Sequence, residues 1–67
     1  MDFIAKAKIR LEHWISHNEH HIKEYEEFVE ELKKSGKIES ATHLKRMIDL
    51  LIKSNEHLRN ALNSLEK

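Results

Sequence analysis

One glycine, Gly36, separates two long stretches in which apolar residues recur with the spacing of an α-helix. The chain of 67 residues has no proline and no second glycine, so no other position in it breaks a helix. A glycine directly after a helix takes the left-handed conformation at little cost. We therefore expect two long helices joined at Gly36, within a single domain that spans residues 1–67.

The hydrophobic pattern predicts the first helix over about residues 3–34, the turn over about 35–37 and the second helix over about 38–65. Asp2 stands where an N-cap residue accepts backbone N–H groups. A connection of about two to five residues makes consecutive helices antiparallel neighbours. The expected fold class is all-α, an antiparallel two-helix hairpin.

The apolar residues of both helices fit a seven-residue repeat, abcdefg, in which positions a and d face a partner helix. In the first helix position a holds Ile4, Leu11, Asn18, Tyr25 and Leu32, and position d holds Ala7, Trp14, His21 and Phe28. In the second helix position a holds Ala41, Ile48, Asn55 and Leu62, and position d holds Leu44, Leu51, Leu58 and Leu65. Folding the chain at Gly36 sets Asn18 opposite Asn55, which are the only asparagines at position a.

Asn18 and Asn55 are expected to form a polar layer inside the hairpin, because a buried asparagine at position a fixes the register of paired helices. Trp14 and Tyr25 bracket this layer and offer further hydrogen-bond donors. His21 points into the same seam from position d. Two interpretations of His21 stay open at this stage, as a member of the polar layer or as a metal ligand.

Position e adds a further row of apolar residues on one flank of the hairpin: Ile15, Ile22, Val29 and Ile52. A hairpin of this size buries little apolar surface by itself, so this flank is expected to need a partner. A homodimer closed into a four-helix bundle is the expected solution. A monomer with an apolar flank and a different protein partner are the alternatives.

Four of the six histidines fall within the segment HWISHNEHH, residues 13–21. Two imidazoles four residues apart lie on one face of a helix and can bind the same metal ion. His17 and His21 have this spacing and are predicted as the primary ligands. His13 and Glu56 are predicted as secondary ligands.

The remaining ligands are left open by the sequence, with Glu24, His57 or a second subunit as candidates. A set of imidazoles and carboxylates without cysteine suits Ni, Zn, Co or Cu. The expected function is therefore a non-enzymatic module that binds a divalent transition metal. The alternative is a structural or protein-interaction hairpin with a buried Asn/His layer and no metal.

The charge balance favours neither nucleic acid nor an anionic membrane as a partner, since twelve basic residues offset twelve acidic ones. No apolar run has the length of a transmembrane helix and no signal-peptide pattern is present, so a cytoplasmic protein is expected. Neither a nucleophile elbow nor a glycine-rich loop occurs, and no catalytic residue is predicted.

The segment HWISHNEHH also resembles the H-W-I-x-H-N-x-x-H pattern of a family of small, uncharacterised helical-hairpin domains. The resemblance falls on His13, Trp14, Ile15, His17, Asn18 and His21, and SNEHL at residues 54–58 is similar to the N-E-x-L of that family's second helix. It implies an all-helical fold, and it implies that five residues form one unit: His17, Asn18, His21, Asn55 and Glu56. It implies no particular activity, and His20 lies outside the pattern.

Overall fold

The computed structural model describes residues 2–65 and residue 67. Helix α1 comprises Phe3–Lys34 and helix α2 comprises Ile38–Ser64. The helices pack against each other in antiparallel directions and form a thin hairpin that measures 51 × 17 × 11 Å. Over the described residues there is no strand, and neither helix combines the length and apolar character needed to cross a membrane. The prediction of an all-α fold, a hairpin of two antiparallel helices, is thus confirmed.

The turn between the helices has the hydrogen bonds of a Schellman motif. Gly36 has a φ of +78°, the left-handed conformation that glycine adopts most easily. The Lys37 N–H donates to the Leu32 carbonyl at 2.9 Å, and the Gly36 N–H donates to the Lys33 carbonyl at 3.0 Å. These bonds satisfy carbonyl groups that the end of α1 leaves free, so the only glycine of the chain stops the helix as predicted.

The first turn of α1 is capped as the sequence indicates. The Asp2 carboxylate accepts a hydrogen bond from the Ala5 N–H at 2.8 Å. At the far end of α2, Leu65 lies in a turn, so that this helix ends one residue before the expected boundary.

The seam between the helices buries Ile15, Val29, Ala41, Ile48 and Asn55. In α2 these residues occupy position a, as expected. In α1 they occupy position e, whereas Trp14 and Phe28 at position d stay 45% and 52% exposed. The expectation that position d of α1 faces α2 is therefore wrong for the two aromatic residues. The short branched side chains of Ile15 and Val29 fit the close approach of the helices beside Ala41, and a large ring needs more room.

The prediction of an apolar flank at position e is wrong for Ile15 and Val29, because both residues lie inside the hairpin. On this side Ile52 stays 40% exposed, and ionic residues share the lining of the surface grooves with apolar ones. We call it the charged flank, after its ionic residues: Glu12, Glu19, Glu26, Glu30, Lys33, Lys45, Asp49 and Arg59. The opposite side has an apolar groove at each end, and we call it the aromatic flank: Phe3, Ala7, Trp14, Phe28, Leu44, Met47 and Leu65.

Candidate metal site

His17 and His21 lie on successive turns of α1, on the aromatic flank between Trp14 and Phe28. Their Nε2 atoms are 2.8 Å apart, and the two rings meet edge to face with centroids 4.4 Å apart. Zinc–nitrogen bonds of about 2.0–2.1 Å place two nitrogens of a tetrahedral site about 3.3 Å apart. Binding one ion requires the two nitrogens to move about half an ångström further apart, and it requires the ring that donates the hydrogen bond to carry its proton on Nδ1 instead.

The ring of His21 is held from its other side by residues of the following turn. Tyr25 stacks on it, with ring centroids 5.8 Å apart and an interplanar angle of 13°. The Glu24 Oε1 atom lies 3.8 Å from the His21 Nδ1 atom. The two nitrogens of this ring thus have different neighbours, Glu24 on the side of Nδ1 and His17 at Nε2.

His20 points away from this pair and forms its own contact. Its Nε2 atom lies 3.0 Å from the Glu24 Oε1 atom, and both side chains are exposed. The ring of His13 lies on the other side of His17, with centroids 5.8 Å apart.

The structure does not bring the predicted secondary ligands into a complete site. Among residues 2–65 and 67, no group of three or more His, Cys, Asp or Glu side chains is placed to hold a metal ion. Glu56 is exposed, and a rotation of about 100° per residue puts it on the side of α2 that carries Arg59, away from the histidines. One chain therefore offers two metal donors, His17 and His21, where a zinc site has at least three protein ligands.

The predicted asparagine pair is present in the seam directly behind these histidines. The Asn18 Nδ2 atom donates to the Asn55 Oδ1 atom at 3.1 Å, and the Asn55 Nδ2 atom donates to the Ile15 carbonyl at 3.2 Å. Asn55 is only 2% exposed, so both bonds replace water that this amide has lost. The pair ties the turn of α1 that holds His17 and His21 to the middle of α2.

Trp14 and Tyr25 were expected to donate hydrogen bonds to this layer. None of the side-chain hydrogen bonds between described residues involves either of them. Tyr25 instead packs against the apolar core and stacks on His21, while Trp14 contributes to the groove at one end of the aromatic flank.

An ion pair between Glu19 and Arg59 joins the helices on the charged flank. Sequence reasoning missed this pair, although a signal for it exists. Glu19 follows Asn18, and Arg59 lies one turn after Asn55, so that opposite charges flank the paired asparagines on one side.

Comparisons with known proteins give a family and nothing more specific. No curated protein and no solved structure matches the chain. A family model described as "Domain of unknown function (DUF8180)" matches residues 7–65, a range that includes the histidine segment, the turn and both asparagines. Since this range covers most of the 67 residues, the chain belongs to that family of unknown function.

Proposed function

We propose that this chain is a non-enzymatic module that binds a divalent transition metal ion through His17 and His21. The distance of 2.8 Å between the two Nε2 atoms carries the proposal, because it is within about half an ångström of a chelating geometry. Imidazole ligands without any thiolate suit Zn, Ni, Co or Cu. Both histidines project from the middle of a long helix, so the donor atoms are positioned before an ion arrives.

Residues around the pair support its role as a ligand site. Glu24 beside the Nδ1 atom of His21 provides the carboxylate that commonly orients a metal-binding histidine. Tyr25 restricts rotation of the same ring by stacking. The bond between Asn18 and Asn55 fixes the turn of α1 from behind. These contacts lower the conformational entropy that the side chains lose when they bind an ion.

Calorimetric titration of the apo protein with Zn²⁺ tests the proposal. We expect saturable binding by the wild type and at least roughly tenfold weaker binding by His17→Ala and by His21→Ala. His43→Ala is the matched control, because His43 is an exposed histidine outside the segment, and it should bind as the wild type does. Equal binding by all four proteins, or none by any, would contradict the proposal.

The second candidate function is a structural hairpin that dimerises into a four-helix bundle without metal. The exposure of Trp14 and Phe28, at 45% and 52%, favours an apolar partner on the aromatic flank. The buried Asn18–Asn55 pair is the feature that fixes helix register in such bundles. A stable dimer in the presence of EDTA, combined with a flat Zn²⁺ titration, would support this candidate over the first.

A further inference from the structure

We propose that a second copy of this chain covers the aromatic flank, with the two α1 helices antiparallel, and that Glu24 of the second copy completes the metal site of His17 and His21. This inference rests on the proposed metal-binding function and names the partner that the site lacks. Each dimer then contains two equivalent sites, each with two imidazoles from one chain and one carboxylate from the other.

The exposed area of the chain is the first argument for a second copy. A compact monomer of 8.0 kDa exposes about 4,500 Å². This chain exposes 5468 Å², about 1,000 Å² more. A standard interface buries about 800 Å² on each partner. The excess thus has the size that one dimer contact removes.

The spacing of the aromatic residues gives the register of that contact. Trp14 lies seven residues before His21, and Phe28 lies seven residues after it. A two-fold axis close to His21 therefore places Trp14 of each copy against Phe28 of the other. Two half-exposed rings are buried at each end of the contact, and the histidines lie between them.

The charges beside the aromatic row favour antiparallel α1 helices. Along positions c and g, the N-terminal half of α1 carries Lys6 and Arg10, and its C-terminal half carries Glu24, Glu27 and Glu31 before Lys34 at the helix end. An antiparallel copy sets Arg10 opposite Glu31 of the second copy. A parallel copy would instead place like charges side by side, which is unfavourable.

The same register brings His17 next to Glu24 of the second copy. Glu24 of the second copy lies level with residue 18, between His17 and His21. Side chains on a helix lean towards its N-terminus, so His21 and this carboxylate lean towards each other, and the imidazole of His17 already meets that of His21. Glu24 of the same chain lies on the Nδ1 side of His21, away from the pair of Nε2 atoms. Its Oε1 atom contacts His20 and His21 of its own chain, so in the proposed dimer the other carboxylate oxygen, Oε2, serves the site of the second copy. Two histidines and one glutamate form a known zinc ligand set, with the fourth position open to water.

Subunit mixing with Zn²⁺ as the probe tests the shared site. One variant carries His17→Ala with His21→Ala and lacks the imidazoles, while the other carries Glu24→Gln and lacks the carboxylate. We expect each variant alone to bind Zn²⁺ at least roughly tenfold more weakly than the wild type. Refolded together, they should bind Zn²⁺ more tightly than either variant alone, at one site per heterodimer, because the imidazoles of one chain meet Glu24 of the other. The affinity should stay below that of the wild type, since the chain with the imidazoles lacks its own Glu24 beside His21. Glu26→Gln, which removes a carboxylate from the charged flank, is the matched control and should bind as the wild type does.

The outcomes separate this inference from the proposed function. Wild-type Zn²⁺ binding by Glu24→Gln, or no recovery on mixing, would overturn the shared site and leave binding by the histidine pair intact. A wild type that binds no Zn²⁺ would overturn the proposed function, and the shared site would fall with it.

The register itself is tested without metal by cysteine cross-linking, since the chain has no cysteine of its own. A mixture of Trp14→Cys and Phe28→Cys should form the mixed disulfide in preference to either homodimer. In the proposed register two Trp14 positions are about 20 Å apart, too far for a disulfide. A disulfide that forms as readily between two Trp14→Cys chains would overturn the register.

Discussion

The two flanks of this hairpin differ in what they leave exposed. The charged flank carries a complete interaction within one chain, the ion pair of Glu19 and Arg59 across the helices. The aromatic flank leaves Trp14 and Phe28 half exposed, and no third His, Asp or Glu of residues 2–65 and 67 joins its two closely placed imidazoles in a metal-binding group. This difference is the reason for proposing an ion and a second chain on the aromatic flank and neither on the charged flank.

The largest effect is expected on the stability of the dimer, when an apolar residue of each flank is replaced in turn by glutamate. Phe28 and Ile52 have similar exposed fractions, 52% and 40%, but only Phe28 belongs to the aromatic flank. Phe28→Glu should weaken the dimer by about 4 kcal/mol, because an interface aromatic contributes about 2 kcal/mol and occurs twice in a symmetric contact. Ile52→Glu should leave the dimer intact.

Sedimentation equilibrium over a range of micromolar concentrations measures the mass of each of the two variants in solution. A dimer that survives Phe28→Glu and dissociates with Ile52→Glu would assign the interface to the charged flank.

The second prediction concerns the stability gained from metal. Zn²⁺ at about 100 times its dissociation constant should raise the free energy of unfolding by about 2.7 kcal/mol, since the folded state alone presents the site. His21→Ala should abolish this gain, and EDTA should reverse it. Asp49→Asn, which removes a carboxylate from the charged flank, should keep the full gain in urea unfolding. If Asp49→Asn lost the stability gained from Zn²⁺, the metal site would lie on the charged flank, which would contradict the proposal.

The third prediction addresses the seam between the flanks. Asn55→Ala should lower the free energy of unfolding by about 1–3 kcal/mol, because it leaves Asn18 and the Ile15 carbonyl without their buried partner. Replacing Asn18 and Asn55 together by leucine should recover this loss, since no buried polar side chain is then left unpaired. Thermal unfolding measures both variants. If the double variant were less stable than Asn55→Ala, the asparagine pair would stabilise the fold by more than the hydrogen bonds that its two members give each other.

The smallest effect is expected on the charged flank. Glu19→Gln removes the ion pair with Arg59, whose partners are both about half exposed, and should cost less than about 1 kcal/mol. The cost should shrink further in 1 M salt, where exposed charges are screened. A loss that equals that of Asn55→Ala in urea unfolding would contradict the view that this flank is a solvated surface.

The sequence predicts the hairpin because its signals are local or strictly periodic. Gly36 determines the turn by its own conformational freedom, and Asp2 caps α1 through the nearby Ala5 N–H. The pairing of Asn18 with Asn55 then follows from folding two heptad patterns at a known turn. The proximity of His17 and His21 likewise follows from the pitch of one helix.

The orientation of α1 about its own axis was not predictable in this way. Apolar residues occupy positions a, d and e of α1. They form a stripe around the helix that is wider than the surface that α2 alone can cover. Which part of the arc is buried depends on packing against Ala41 and Ile48, which favours Ile15 and Val29 over Trp14 and Phe28. Because of this orientation of α1, the exposed apolar surface lies on the same side as the histidines. The heptad pattern predicts it on the opposite flank.

The most direct test of the central claim is an NMR measurement of the histidine ring nitrogens during titration with Zn²⁺. We predict that the Nε2 resonances of His17 and His21 shift together and saturate at one ion per chain, while those of His43 and His57 stay in place. Uniform small shifts of all six histidines, or no shift at all, would contradict a metal site at this pair.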